Sequence, residues 1–269
     1  MILSNQQIKK IEKKIVFHKK RVIDMCFKSG GHISSSFSTA EILSYLYYGK
    51  IINSKKNRFL LSKGHGEVFY FSLLADLKYF PEKWLFQRYR SKISKLGGHV
   101  SHTVPGIEFS FGSLGHGLSY AAGLCYALKL KKNKFQKIFC LMGDAEINEG
   151  SVWEAVIFAG HNNLKNLIAI VDYNKIGSSD FIKNYISKKC LAESWSEHNW
   201  NVYRCNGHDL HQLNKTISKV LKLKNQKPTV LILDTIKGKG VSFIENDPIW
   251  HVKGLDQMSY KKAKIELNE

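Results

Sequence analysis

Proline is scarce, with 4 in 269 residues, and acidic side chains are outnumbered: 22 Asp and Glu face 41 Lys and Arg, a formal net charge of +19. No apolar run reaches the 18 or so residues that a membrane-spanning helix needs. The N-terminal "MILSNQQIKKIEKK" is charged too early to be the apolar core of a signal peptide. A soluble, cytoplasmic protein is therefore expected. Cysteine is sparse and unpatterned. Cys26, Cys125, Cys140, Cys190 and Cys205 are odd in number and contain no CxxC pair, so neither a disulfide framework nor a zinc site is indicated. Most should be small buried hydrophobes.

The basic excess gathers in short clusters at residues 9–14, 18–21, 55–58 and 129–134. A nucleic-acid binder would need a phosphate-tracking stripe with a recognisable motif. These clusters are scattered and carry none, which favours solvated lysines on helix faces. Under either reading a positive field draws in phosphorylated ligands or an acidic partner chain.

No internal repeat or low-complexity linker is visible, and 43% hydrophobic content over this length suits one large domain spanning 1–269. Ile8, Ile11, Ile15, Val22, Ile23 and Met25 recur at helical spacing and predict an amphipathic helix to about Lys28, closed by Gly30-Gly31. "STAEILSYLYYG" predicts a helix with a Ser/Thr cap at its start, Glu41 in its first turn and Gly49 as its stop. Apolar runs follow at 58–62, 137–143, 166–173, 201–205 and 228–236. They do not alternate with polar residues, as expected of strands covered on both faces. Helical patterns at 67–78, 114–131, 151–162 and 210–223 separate them. The expectation is an α/β fold with a mainly parallel central sheet and helices on both faces. From about Gly238 onward an arm or loop should lead to a short terminal helix.

In such a sheet, ligands bind beyond the carboxyl ends of the strands. Asp144 follows one predicted strand and Asn174 another, with a helix between them, so a carboxylate and an amide oxygen should converge at one end of the sheet. Oxygen donors suit Mg²⁺ or Ca²⁺ and not zinc. Two side chains and one backbone carbonyl leave coordination sites for phosphate oxygens and water, so the ligand should carry a diphosphate or triphosphate.

Gly143-Asp144-Ala145, followed by Asn174-Lys175-Ile176, resembles the thiamin diphosphate signature GDG…N. The pair alone is weak, since Gly-Asp after a strand is ordinary turn chemistry. Around it, "SGGHISSSFSTAEIL", "RFLLSKGHGEVFYFSLL", "LGGHV", "PGIEFSFGSLGHGLSYAAG" and "TIKGKGVSFIENDPIWH" run in an order that resembles the transketolase family. The likeness is to the N-terminal half that forms a separate subunit in split transketolases, and it implies the thiamin diphosphate-binding fold over nearly the whole chain.

The resemblance implies a role for each matching residue. Asp144, Asn174 and the carbonyl of Ile176 would hold Mg²⁺, with Ca²⁺ possible. The amide of Ala145, beside Gly143, would donate to a phosphate. Ala replaces the usual Gly there, which a backbone donor tolerates at negative φ. His65 would contact the diphosphate, and Gly112, Ser113 and Leu114 would lie against the cofactor rings. Glu149, at a helix start that itself favours a carboxylate, would join contacts between two cofactor sites. His32, His99 and His251 would line the channel to the reactive carbon, where imidazole can take or give protons near neutral pH; His251 would also touch the cofactor. His116 supports the match, and His102 is a loop residue near the channel. His18, His161, His198, His208 and His211 are expected at the surface or at caps.

The implied reaction is reversible transfer of a two-carbon ketol unit from a ketose, or ketose phosphate, to an aldose. In the family a Glu from a second, pyrimidine-binding domain activates the cofactor. Only eighteen residues follow "WH" at the end of the last motif, so the expectation is a partner C-terminal transketolase subunit supplying that Glu, in a heterotetramer. Val100, Phe111 and "WHVKG" depart from the commoner family residues at positions expected to face or cover the acceptor side, which leaves a specialised aldose open. The rival readings are the α subunit of a 2-oxo acid dehydrogenase, whose signature lacks the several channel histidines, and a non-catalytic basic paralogue.

Overall fold

The structure, a computed structural model, describes residues 2–53, 56–92, 94–133, 135–184, 191–224 and 226–268. Lys55 and Lys134 of the basic clusters, and Cys190, lie outside the described residues. Cys26, Cys125 and Cys140 are buried free thiols and Cys205 is half-buried.

The five apolar runs form one parallel sheet of β1 (Asn57–Leu61), β2 (Lys137–Gly143), β3 (Leu167–Tyr173), β4 (Asn201–Asn206) and β5 (Thr229–Asp234), in the order β1-β2-β3-β5-β4. Successive strand residues point to opposite faces, yet Ile138, Phe139, Cys140, Leu141 and Met142 are all fully buried. Both faces of β2 are therefore covered. Edge strand β4 departs from the expectation. It pairs only with β5, and its residues are half-buried or exposed.

Seven helices fall on the sequence patterns: α1 (Asn5–Ser29), α3 (Ala40–Tyr48), α4 (Glu67–Asp76), α6 (His116–Leu130), α7 (Gly150–His161), α9 (Leu210–Leu221) and α10 (Gln257–Glu266). Three more, α2 (Ile33–Phe37), α5 (Lys83–Gln87) and α8 (Leu191–Glu197), have only five, five and seven residues, too few to show a period. Helix α1 starts with a capping box between Ser4 and Gln7 and buries its Ile, Val and Met stripe. Among the described residues no helix is long and apolar enough to cross a membrane.

Three local expectations are corrected, while Gly49 ends α3 as expected. Thr39 precedes α3 without capping it; α2 ends just before, and the Thr39 hydroxyl donates back to the carbonyls of Ser35 and Ser36. Gly49 ends α3 at φ −72°, and the left-handed residue is Lys50 at φ 56°. Glycine is needed at 49 for space, because a Cβ there would sit 2.4 Å from the Tyr45 carbonyl oxygen. The segment after Gly238 is folded onto the body instead of forming an arm. Val241, Ile244 and Trp250 are buried, and α10 docks on α1 as Tyr260 and Lys264 bond Asp24 at 2.9 and 2.8 Å.

His18 and His208 are the third correction. His18 is fully buried between α1 and α4, with Nδ1 2.8 Å from the Ser72 hydroxyl and Nε2 2.6 Å from that of Tyr48. Burial pushes its pKa down to about 3. His208 lies between the Glu41 carboxylate, at 2.9 Å, and the Ile236 amide, which donates to Nε2 at 2.8 Å. Glu41 also pairs with buried Lys19 at 3.1 Å. Burial would raise the Glu41 pKa, but Lys19 and His208 prevail and hold it low. Part of the basic excess is thus consumed inside the fold.

Candidate active site

The carboxyl ends of β1, β2, β3 and β5 open into one cavity of about 510 Å³. Asp144 follows β2 and Asn174 follows β3, adjacent strands whose registers pair Gly143 with Asp172. Asp144, Asn174 and Ile176 all line this cavity. Asp144 and Asn174 are 1% and 6% exposed, so neither carboxylate nor amide is simply a solvated turn residue. The Asn174 amide nitrogen donates to Asp172 at 3.0 Å, which turns its oxygen the other way, where the Ile176 amide meets it at 3.1 Å. The Lys175 amide donates to Asp144. An all-oxygen set with spare lone pairs fits a hard cation.

His32, His65, His99 and His251 line the same cavity, with ring centroids 5.4 to 6.0 Å apart along the pairs 32–65, 32–99, 32–251 and 65–251. Burial, then the Lys63 charge, depresses the His65 pKa well below normal. Burial, then Lys237, lowers that of His251 to about 3. His99 is also lowered, burial outweighing the nearby Glu67 charge. Gly112, Leu114, Gly143, Ala145 and Glu149 complete the predicted lining. Ala145 has φ −67°, compatible with a donating amide. Ser113 is exposed and outside the lining, as are His102, bonded to Ser110, and His116, the first residue of α6. Among the remaining histidines His161 and His211 are exposed, and His198 is half-buried near Trp153.

Val100 and Phe111 do not face the cavity. Both are buried, and they bridge to each other, with the Phe111 amide donating to the Val100 carbonyl at 3.2 Å. Their bridge holds His99 beside Gly112, where an added Cβ would lie 3.6 Å from the imidazole. In "WHVKG", Val252 is largely exposed.

The sequence did not single out the site's buried charges. Lys63, just past β1, is 1% exposed and pairs with equally buried Asp172; its ammonium also meets the Ser35 carbonyl at 3.2 Å. Burial would raise the Asp172 pKa, but Lys63 and the hydroxyls of Ser38 and Thr235 keep it low. Lys237, past β5, donates to the Gly177 carbonyl at 2.6 Å and reaches that of Ile176 at 3.4 Å and His251 Nδ1 at 3.0 Å. Burial, then the Lys63 charge, lowers its pKa to about 7. An anionic tail in the cavity would meet this buried amine. Both lysines obey the strand-end rule that located Asp144 and Asn174, and that signal would have found them.

Glu146, 1% exposed, ties the loops together. Its carboxylate accepts from the Gly115 amide at 3.0 Å, the Gly143 amide at 3.1 Å and the Ser62 hydroxyl. Burial raises its pKa against the pull of these donors. Gly115 has φ +87°, and a Cβ added there would lie 2.6 Å from Glu149 Cβ, so glycine is required where α6 begins.

A parallel sheet whose strand ends gather an oxygen-donor set, two buried lysines and four imidazoles defines an α/β protein whose cavity suits a diphosphate. Residues 20–268 match the family described as "Transketolase, thiamine diphosphate binding domain", and the chain belongs to that family. It is similar to an apulose-4-phosphate transketolase subunit of Actinobacillus succinogenes, 39% identical over 256 residues that cover 92% of this chain and 90% of the relative. The protein of the same name from Phocaeicola vulgatus is 34% identical, covering 98% and 95%. Among solved structures, transketolase from Campylobacter jejuni superposes with a TM-score of 0.85 at 27% identity, over 99% of this chain. Transketolase from Pichia stipitis in complex with sedoheptulose 7-phosphate gives 0.83 at 25% identity, over 96% of this chain. The chain spans 43% and 40% of those two solved chains.

Proposed function

We propose that the chain is the cofactor-diphosphate-binding subunit of a cytoplasmic two-chain transketolase, active only with a pyrimidine-binding partner in a heterotetramer. One observation carries this reading: the cation-type oxygen set and the four histidines share a single cavity at the strand ends. Both relatives of similar length are named as transketolase subunits, which supports a partner chain. We read residues 1–269 as one diphosphate-binding domain.

When bound, thiamin diphosphate supplies the nucleophilic carbon and electron sink that carry a two-carbon ketol unit. Asp144, Asn174 and the Ile176 carbonyl hold Mg²⁺, for which Ca²⁺ can substitute. Lys63, Lys237, His65 and the Ala145 amide meet the diphosphate charge. Gly112 and Leu114 support the rings, and Glu149 reaches toward the second cofactor site of the assembly. His32, His99 and His251 orient the sugar and hold or move its hydroxyl protons. The partner contributes the activating Glu and part of the sugar-phosphate grip. The donor is a ketose or ketose phosphate and the acceptor an aldose; apulose 4-phosphate, as named for the relatives, is the first donor to try.

The test is co-expression with a pyrimidine-binding chain and an assay of two-carbon transfer. Transfer that requires both chains, thiamin diphosphate and a divalent cation is expected. Oxidative decarboxylation of a 2-oxo acid, or salt-sensitive DNA binding without cofactor affinity, would overturn the proposal.

A further inference from the structure

Glu67 opens α4 directly behind the histidine cluster, in a helix whose next eight residues, Val68 to Ala75, are all buried. Its side chain is 0% exposed. A carboxylate in that position needs a partner of strong donor character. It has two: the Tyr89 hydroxyl donates to Oε1 at 3.0 Å, and His32 Nδ1 lies 3.2 and 3.3 Å from the two oxygens. Among the described residues, it is the only carboxylate hydrogen-bonded to any of the four cavity histidines.

The chemistry of this contact is directional. An ionised carboxylate only accepts, so His32 Nδ1 must carry the hydrogen. A neutral imidazole then has its lone pair on Nε2, the edge of the ring turned away from Glu67 in a side chain that lines the cavity. The other three rings lack this support. His251 Nδ1 faces the Lys237 amine at 3.0 Å, and His65 feels Lys63. His99 shares the Glu67 field without its hydrogen bond, and burial lowers its pKa. A positive charge arriving on His65 or His251 would be opposed by neighbouring lysines, and on His99 it would meet Glu67 only through space; on His32 it would face a hydrogen-bonded carboxylate.

We propose that Glu67 is a positioning residue that locks His32 as the Nδ1–H tautomer and thereby makes His32 the proton acceptor of the cluster. In the reaction a sugar O–H bond breaks and an Nε2–H bond forms. The pair left on oxygen closes the carbonyl of the departing aldose, while the pair of the opened C–C bond stays with the two-carbon unit. His32 returns the proton to the acceptor's oxygen when the new C–C bond forms. The Glu67–His32 pair passes from one net negative charge to none and back.

The kinetic part of this inference rests on the transketolase reading; the tautomer does not. In the full chain labelled with ¹⁵N-histidine, long-range ¹H–¹⁵N spectra near pH 7.5, assigned against His32→Ala, should show His32 protonated at Nδ1. That is opposite to the ordinary preference of free histidine, and an Nε2–H pattern overturns the proposal. With the partner present, Glu67→Gln should lower kcat about 100-fold, the scale of a lost general base, and leave KM for the ketose within about threefold. In a His32→Ala background the same change should cost less than about threefold, because its effect runs through His32. Retention of kcat in Glu67→Gln, or an equal loss in both backgrounds, overturns the proposal by making Glu67 merely structural. If the wild-type pair transfers no two-carbon unit, the functional reading fails while the spectrum still decides the tautomer. If Glu67→Gln fails to fold, the wild-type spectrum alone decides.

Discussion

Two buried histidine neighbourhoods in this chain treat the same side chain in opposite ways. His18, packed between α1 and α4, has one hydroxyl on each ring nitrogen, and hydroxyls can donate or accept as needed. At the strand ends, His32 and His251 instead meet a carboxylate and an amine, groups that dictate direction. Burial lowers the pKa of His18 and His251 alike, to about 3 in each case. The depressed pKa therefore does not separate a histidine of the packed core from one that lines the cavity. What separates them is whether the partners are adaptable and neutral or fixed and charged.

The sharpest way to break the comparison is to remove charge from the strand ends. Asp144→Ala should weaken metal-dependent retention of thiamin diphosphate by about 1,000-fold, since even indirect supports of a metal site cost roughly 10- to 100-fold. Fluorescence titration with and without Mg²⁺ reads it, and unchanged retention sinks the cation assignment. Next in size, His18→Ala should lose about 3 kcal/mol of stability by urea unfolding, through a cavity and two orphaned hydroxyls. Cofactor affinity should stay as in the wild type; a large affinity loss would erase the distinction between the two regions.

Acid should then act through His18. Its folded pKa of about 3 lies below the unfolded value near 6.5, so the unfolded chain binds the proton first. The contribution is intact above pH 6.5 and lost as pH falls through that window, about 2 kcal/mol by pH 5. His18→Gln should flatten this limb by roughly one proton. The smallest effect belongs to Lys237, depressed to about 7. Between there and its unfolded value near 10.5 the unfolded chain holds the proton, so the lysine opposes folding at neutral pH. Lys237→Met should stabilise the cofactor-free chain by about 1 kcal/mol, with the gain fading toward pH 10, and should weaken diphosphate affinity about tenfold. A destabilised variant would contradict the reading of Lys237 as a strained, ligand-directed cation.

Much of the scaffold is legible in the sequence, and so is half of the site. Apolar runs locate all five strands because a doubly covered strand needs every residue apolar, and the run itself records that. The Gly-Asp and Asn turns mark the corner where Asp144 and Asn174 meet, because strand ends in a parallel sheet face one way. Edge strand β4 misleads, since its run looks like the others but pairs on one side only. Val100 and Phe111, expected to face or cover the acceptor side, are buried and pair with each other outside the cavity lining. His18 looks like a surface residue because its neighbours are basic; its partners lie 30 and 54 residues away.

By itself, the sequence determined the order and kind of the elements and the residues that close each strand, because hydrophobic period and turn chemistry act over a few neighbours. Only the tertiary structure decided which charges are buried and what faces them. Lys63 meets Asp172 across 109 residues, and His32 meets Glu67 across 35. Desolvation and Coulomb interaction depend on distance in space, and chain order does not carry that distance until the helices have packed on the sheet.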